Sequence, residues 1–145
     1  MLAACVLVGL TACDPITDPD APVAVQVSGG GVRVAICEPS SVSMIAVETR
    51  GADFSRNEWI TVINASGTWA VDSGGVLDSA DMPVGLSGEV APIAALAEGD
   101  HISVYVDRID QPSILAELVV TADWIADSKA WLRPVSLAAQ SPCLT

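Results

Sequence analysis

Any catalytic role for this chain must begin with His101, the single histidine among 145 residues. As the base of a Ser-His-Asp relay it needs an acid on its own side of the backbone. Asp100 is its sequence neighbour, and neighbours on a strand point to opposite faces, so Asp100 is not that acid. Gly85-Leu86-Ser87-Gly88-Glu89 approaches the G-x-S-x-G nucleophile elbow but lacks the final glycine. One histidine also excludes a His-x-x-x-His zinc site. Glycoside hydrolysis requires an acid in an apolar setting beside a second carboxylate. Glu117, flanked by Leu115, Ala116, Leu118 and Val119, has the most apolar neighbours of any acid here, yet an alternating strand places it simply outward. Asp72, Asp78 and Asp81 are oxygen donors in a glycine-containing stretch and are weak Ca²⁺ candidates, because they lack the EF-hand spacing. Trp59, Trp69, Trp124 and Trp131 offer rings for sugar stacking, but three of them sit beside β-branched or Leu/Ile neighbours and read as core anchors. No catalytic constellation emerges. The expectation is a protein that is not an enzyme, with no metal and no dissociable cofactor.

The elements that carry these residues read as strands. Val23-Ala24-Val25-Gln26-Val27 alternates at period two, Ser28-Gly29-Gly30-Gly31 breaks it, and Val32 to Cys37 resumes it, which predicts a hairpin. Further strands are expected over Val42 to Thr49, Glu58 to Ile63 and Thr68 to Val71, with Asn64-Ala65-Ser66-Gly67 as a turn between the last two. From Asp72 to Gly88 no alternation is visible, and a long loop is expected. Pro92 weakens any regular element over Val90 to Leu96. His101 to Asp107 is the cleanest strand: Ile102, Val104 and Val106 face one way, and His101, Ser103, Tyr105 and Asp107 the other. Ile114 to Thr121 favours a strand through Val119, Val120 and Thr121. Trp124-Ile125 and Trp131-Leu132 read as strand, turn, strand, with a short helix near 124–131 as the alternative.

About eight short strands with Gly/Pro/Asp turns point to an all-β fold, an antiparallel β-sandwich of immunoglobulin-like type, with a small β-barrel as the alternative. Such a domain is large enough to bury a genuine core. The formal net charge of −12, from 18 acids against 6 Lys and Arg, argues against nucleic acid and anionic surfaces as partners.

Upstream of the strands the composition changes. Leu2 to Leu10 is apolar but shorter than the roughly 20 residues that span a bilayer. Small residues Gly9, Thr11 and Ala12 lead to Cys13, after which Asp14-Pro15-Ile16-Thr17-Asp18-Pro19-Asp20 forms neither helix nor ladder. Leu10-Thr11-Ala12-Cys13 resembles the lipobox of a bacterial lipoprotein signal peptide. No Lys or Arg occurs before Arg33, so the basic n-region of such a peptide is not among these residues. The resemblance implies that 1–12 is a signal peptide, that Cys13 carries the covalent lipid (palmitate among its chains), that 13–21 is a Pro/Asp-rich tether, and that 22–145 is the β-sandwich domain. Cys5 would leave with the signal. That leaves Cys37 and Cys143 as an even pair in an oxidising compartment, and a disulfide between them is expected.

With the Arg-over-Lys, Ala/Val/Gly-rich composition, this layout resembles small actinobacterial lipoproteins with a compact β domain and no assigned activity. It implies attachment to the extracytoplasmic face of the cell membrane, with the lipid bilayer as one partner and an envelope protein or glycan as another. The expected function is a non-catalytic, surface-anchored binding or accessory module. The alternatives are a small extracytoplasmic hydrolase using Glu117 or His101, and a Ca²⁺-dependent module using the 72–81 acidic loop.

Overall fold

A computed structural model of the chain describes residues 20–51, 59–134, 138–139 and 141–143. Cys13, the 1–12 segment and most of the 13–21 tether lie outside the described residues. The chain forms an all-β sandwich of two five-stranded sheets. In chain order the strands are β1 Val23–Ser28, β2 Gly31–Ile36, β3 Ser40–Arg50, β4 Ile60–Val71, β5 Gly75–Asp78, β6 Leu86–Val90, β7 His101–Arg108 and β8 Ile114–Val119. A short helix, α1 Ala122–Ala126, precedes β9 Trp131–Leu132 and β10 Ala138–Ala139. The first sheet runs β10-β9-β1-β2-β5 and the second β6-β4-β3-β7-β8, with every pairing antiparallel. Lettered in chain order, β1-β2-β5 corresponds to A-B-E and β4-β3-β7-β8 to C′-C-F-G, the immunoglobulin-like order. β6 is an added edge strand, and β9 and β10 cover the edge of β1. Two separate sheets exclude the closed barrel.

The alternation seen in the sequence is what fills the space between the sheets. Val23, Val25, Val32, Val34 and Ile36 point inward from the first sheet, and Ile102, Val104, Val106, Ala116 and Leu118 from the second; all are buried. Ser28 pairs with Gly31, so Gly29 (φ 59°) and Gly30 (φ 79°) are the two central residues of a tight hairpin turn. Positive φ at both is what the favoured two-residue turn demands. The first sheet also buries part of its outer face. Ala24, Ala35 and Trp131 form a second small cluster, with the Arg33 guanidinium 5.8 Å from the indole centroid.

Three sequence expectations are corrected. Asn64 to Gly67 is not a reversal: β4 runs unbroken from Ile60 to Val71. Between the pairs Val42↔Trp69 and Met44↔Ser66 the register shifts, so Gly67 and Thr68 form a bulge. Gly67 (φ 144°) lets the Gly85 carbonyl come so close that a Cβ at position 67 would stand 1.9 Å from it, and Thr68 N–H donates to that carbonyl at 2.9 Å. The glycine there permits a bend rather than a turn. Second, the 72–88 stretch is not one loop; it carries β5 across to the first sheet and returns to begin β6. Third, Trp124-Ile125 belongs to α1, capped by Thr121, while Trp131-Leu132 is the expected strand.

The chain enters and is cross-linked at one pole. There Cys37 N–H donates to Pro22 O at 2.7 Å, and Cys37 is bonded to Cys143 (S–S 2.11 Å, Cα–Cα 5.4 Å). Immunoglobulin domains bridge strands B and F; this bridge instead ties the end of β2 to the last residues of the chain. Arg108, nearly buried at the same pole, pairs with Glu38 and donates to Pro112 O at 2.8 Å and to Ser40 Oγ at 3.2 Å. The opposite pole holds the β1–β2 turn, the start of β7, the end of β8 and α1.

Candidate binding site

A concave site opens at that opposite pole. Pro92 has no N–H to extend a ladder, and β6 ends at Val90, with Ala91 N–H donating to Val62 O at 2.9 Å. The chain then crosses the end of the sandwich, and Ile93 N–H donates to Gly30 O at 3.0 Å, pinning it to the β1–β2 turn. Ala97 N–H donates to Asp100 Oδ2 at 2.8 Å, and Gly99 N–H to Val120 O at 2.9 Å. These bonds hold an otherwise irregular segment in one path.

The second wall is α1. Thr121 Oγ1 accepts from Trp124 N–H at 3.3 Å, an N-cap that sets where the helix begins. Asp127 ends it: its N–H donates to Trp124 O at 3.3 Å, and its Oδ1 accepts from Lys129 N–H at 3.0 Å. Trp124 Nε1–H donates to Ala130 O at 2.9 Å, so the indole is both buried and fixed. Between these walls lies a cavity of about 390 Å³, lined among others by Val27, Ile93, Leu96, Trp124, Ile125 and Asp127. Small-molecule sites span roughly 300–1,000 Å³ and are mostly apolar with a few polar groups. This cleft has that character, and Ile125 stands beside it 45% exposed.

The residues first considered for catalysis lie elsewhere. His101 and Glu117 share the outer face of the second sheet, on neighbouring strands and diagonal to each other. His101 Nδ1 lies 2.9 Å from Glu117 Oε1. The same carboxylate oxygen lies 3.6 Å from Arg50, whose guanidinium sits 4.5 Å from the Trp59 ring centroid. Glu117 is therefore outward, as the alternation implied, and its charge is offset by Arg50. Sequence reasoning tested His101 against Asp100 and missed Glu117, sixteen positions away, because only the β7–β8 register brings the two together.

Asp78 and Asp81 pair through their backbones, Asp81 N–H donating to Asp78 O at 3.0 Å, but Asp72 lies at the other end of β5, so the three do not form one group. Asp72 precedes β5 and Asp78 ends it, a separation of several residues at roughly 3.3 Å each. Asp78 is 3.6 Å from Arg33, and its Oδ1 accepts from Ala80 N–H at 2.9 Å. Among the described residues no group of three or more His, Cys, Asp or Glu is placed to hold a metal ion. The four tryptophans are dispersed: Trp59 beside Arg50, Trp69 against the core, Trp124 at the cleft and Trp131 on the first sheet's outer face. Among the described residues no helix is long and apolar enough to cross a membrane. No protein-family model matches the chain, and neither a curated protein nor a solved structure matches it.

Proposed function

We propose that the protein is a non-catalytic binding module of the bacterial cell envelope, anchored by lipid on Cys13 and carrying its ligand site at the pole away from the anchor. One observation carries this reading: the apolar cleft of about 390 Å³ and the point where the chain enters the sandwich occupy opposite ends. A tether at 13–21 leading into β1 at the pole of Cys37 would turn the cleft outward from the bilayer. The disulfide agrees with an oxidising compartment. The acid-rich composition agrees with solubility there.

The anchor is tested by expressing the full chain in a bacterial host and comparing it with Cys13→Ser. Wild-type protein should fractionate with membranes and begin at Cys13 with the added mass of its lipid; Cys13→Ser should be found unlipidated. Wild-type protein that retains Met1 and an unmodified Cys13 would overturn the anchoring. The absence of catalysis is tested by screening esterase, peptidase and glycosidase substrates. A turnover lost in both His101→Gln and Glu117→Gln would replace this reading with the hydrolase one.

A further inference from the structure

We propose that the pole of Cys37 carries a second site, built on the Arg108–Glu38 pair, that takes a neutral saccharide. It is separate from the apolar cleft and does not depend on it. A cavity of about 390 Å³ opens there too, lined among others by Pro22, Glu38, Arg108, Pro112, Ser113 and Leu115. The Arg108 side chain is only 6% exposed. Its guanidinium is held in one orientation: Nε donates to Pro112 O at 2.8 Å, and Nη1 is shared between Glu38 Oε1 and Ser40 Oγ. Nη2 is left over. Its N–H groups meet no acceptor among the described residues, and the atom is not sealed from solvent. Glu38 is the complement. Its side chain is 43% exposed, Oε1 accepts from Arg108, and Oε2 makes no contact among the described residues. One ion pair therefore offers both an open donor and an open acceptor.

The ligand class follows from that combination. A hydroxyl both donates and accepts, so neighbouring hydroxyls on a sugar ring can answer the guanidinium and the carboxylate together. The ligand should be neutral, because the two charges already offset each other. An ammonium would face the guanidinium, and a carboxylate or phosphate would face Glu38. Asp20 also borders the cavity, but it is engaged otherwise and no part of the recognition falls to it. Pro22, Pro112 and Leu115 supply carbon walls for the C–H face of a ring, the apolar lining with a few placed polar groups that small-molecule sites have. Among the described residues no aromatic ring lines the cavity, so stacking adds nothing and the affinity is weak.

The test is a two-dimensional NMR titration of the isotopically labelled full chain, followed at the amides of Ile114 and Leu115. The probes are methyl glucoside, 1,2-cyclohexanediol, cyclohexanol, glucuronate and acetamide. Methyl glucoside and the diol should bind about threefold to tenfold more tightly than cyclohexanol, the factor that one added hydrogen bond supplies. Glucuronate should bind more weakly than methyl glucoside. Glu38→Gln removes the charge that offsets Arg108 and should reverse the order of those two. Ser113→Trp, at an exposed lining position, should abolish the shifts from every probe. Ala95→Trp, at an exposed position on the rim of the apolar cleft, should leave them unchanged. Cyclohexanol binding as tightly as methyl glucoside overturns the saccharide class, as does acetamide doing so, which would assign the site to amides. Glucuronate preferred by the wild type, or an order unchanged in Glu38→Gln, overturns the role of the ion pair. No shift at Ile114 or Leu115 from any probe removes the site.

Discussion

Replacing both Cys37 and Cys143 with alanine is expected to remove a large part of the stability of this sandwich. The two residues are 106 positions apart, so the bridge closes nearly the whole folded domain into one loop. In the chain-entropy account a loop of that length restricts the unfolded ensemble by about 4–5 kcal/mol at 25 °C. A domain of this size has roughly 5–15 kcal/mol in total. One restraint on the tail survives the loss, because Arg133 Nη2 donates to Ser141 O at 2.7 Å. The native sheets should therefore persist, since no strand pairing passes through the bridge. The assay is urea unfolding followed by tryptophan fluorescence, for oxidised wild type, reduced wild type and the double variant. Both forms without the bridge should lose about 3–5 kcal/mol and melt some 10–25 °C lower. Their dependence on urea should also steepen, because an uncrosslinked unfolded chain exposes more surface. Coincident curves for oxidised and reduced protein would refute the reasoning, as would a loss of stability with a shallower slope.

Three substitutions probe the bulge, the hairpin turn and the short helix. Gly67→Ala should cost about 2–4 kcal/mol by chemical denaturation, since it forces a side chain against the Gly85 carbonyl at a backbone angle that only glycine adopts readily. Gly29→Ala at φ 59°, where an added Cβ would meet nothing within 4 Å, should cost only about 1–2 kcal/mol. Trp124→Phe keeps an aromatic body but strands the Ala130 carbonyl that Nε1–H now satisfies; a loss of about 1–3 kcal/mol is expected, with the cleft enlarged.

Strands whose pattern is local were legible in the residues. His101 to Arg108 alternates without interruption, and Ile102, Val104 and Val106 are fully buried. The Gly29-Gly30 hairpin was legible for the same reason, as its geometry depends on four consecutive residues. Bulges were not. At Ser43 the register slips, so the inward residues of β3 are Val42, Ile45 and Val47, a spacing that strict alternation does not produce. Gly67 was misread because a turn and a bulge ask for the same residue, and only the neighbouring β6 decides between them. Trp124 and Trp131 share a type but not a fate: Thr121 starts a helix at one, and the edge of β1 recruits the other. The cleft was the least legible feature. Its walls come from the β1–β2 turn, the Pro92 segment and α1, which are distant in sequence and individually unpatterned. The Glu117–His101 contact was hidden likewise, since it depends on the β7–β8 register.

The most direct measurement on the whole account is native mass spectrometry of the full chain recovered from bacterial envelopes, for wild type and Ala95→Trp. A lipid anchor on Cys13 with a ligand cleft at the far pole predicts a chain that starts at Cys13, carries its lipid mass, and holds a further small-molecule mass that Ala95→Trp abolishes. A chain with unmodified Cys13 and identical spectra for the two proteins would contradict it.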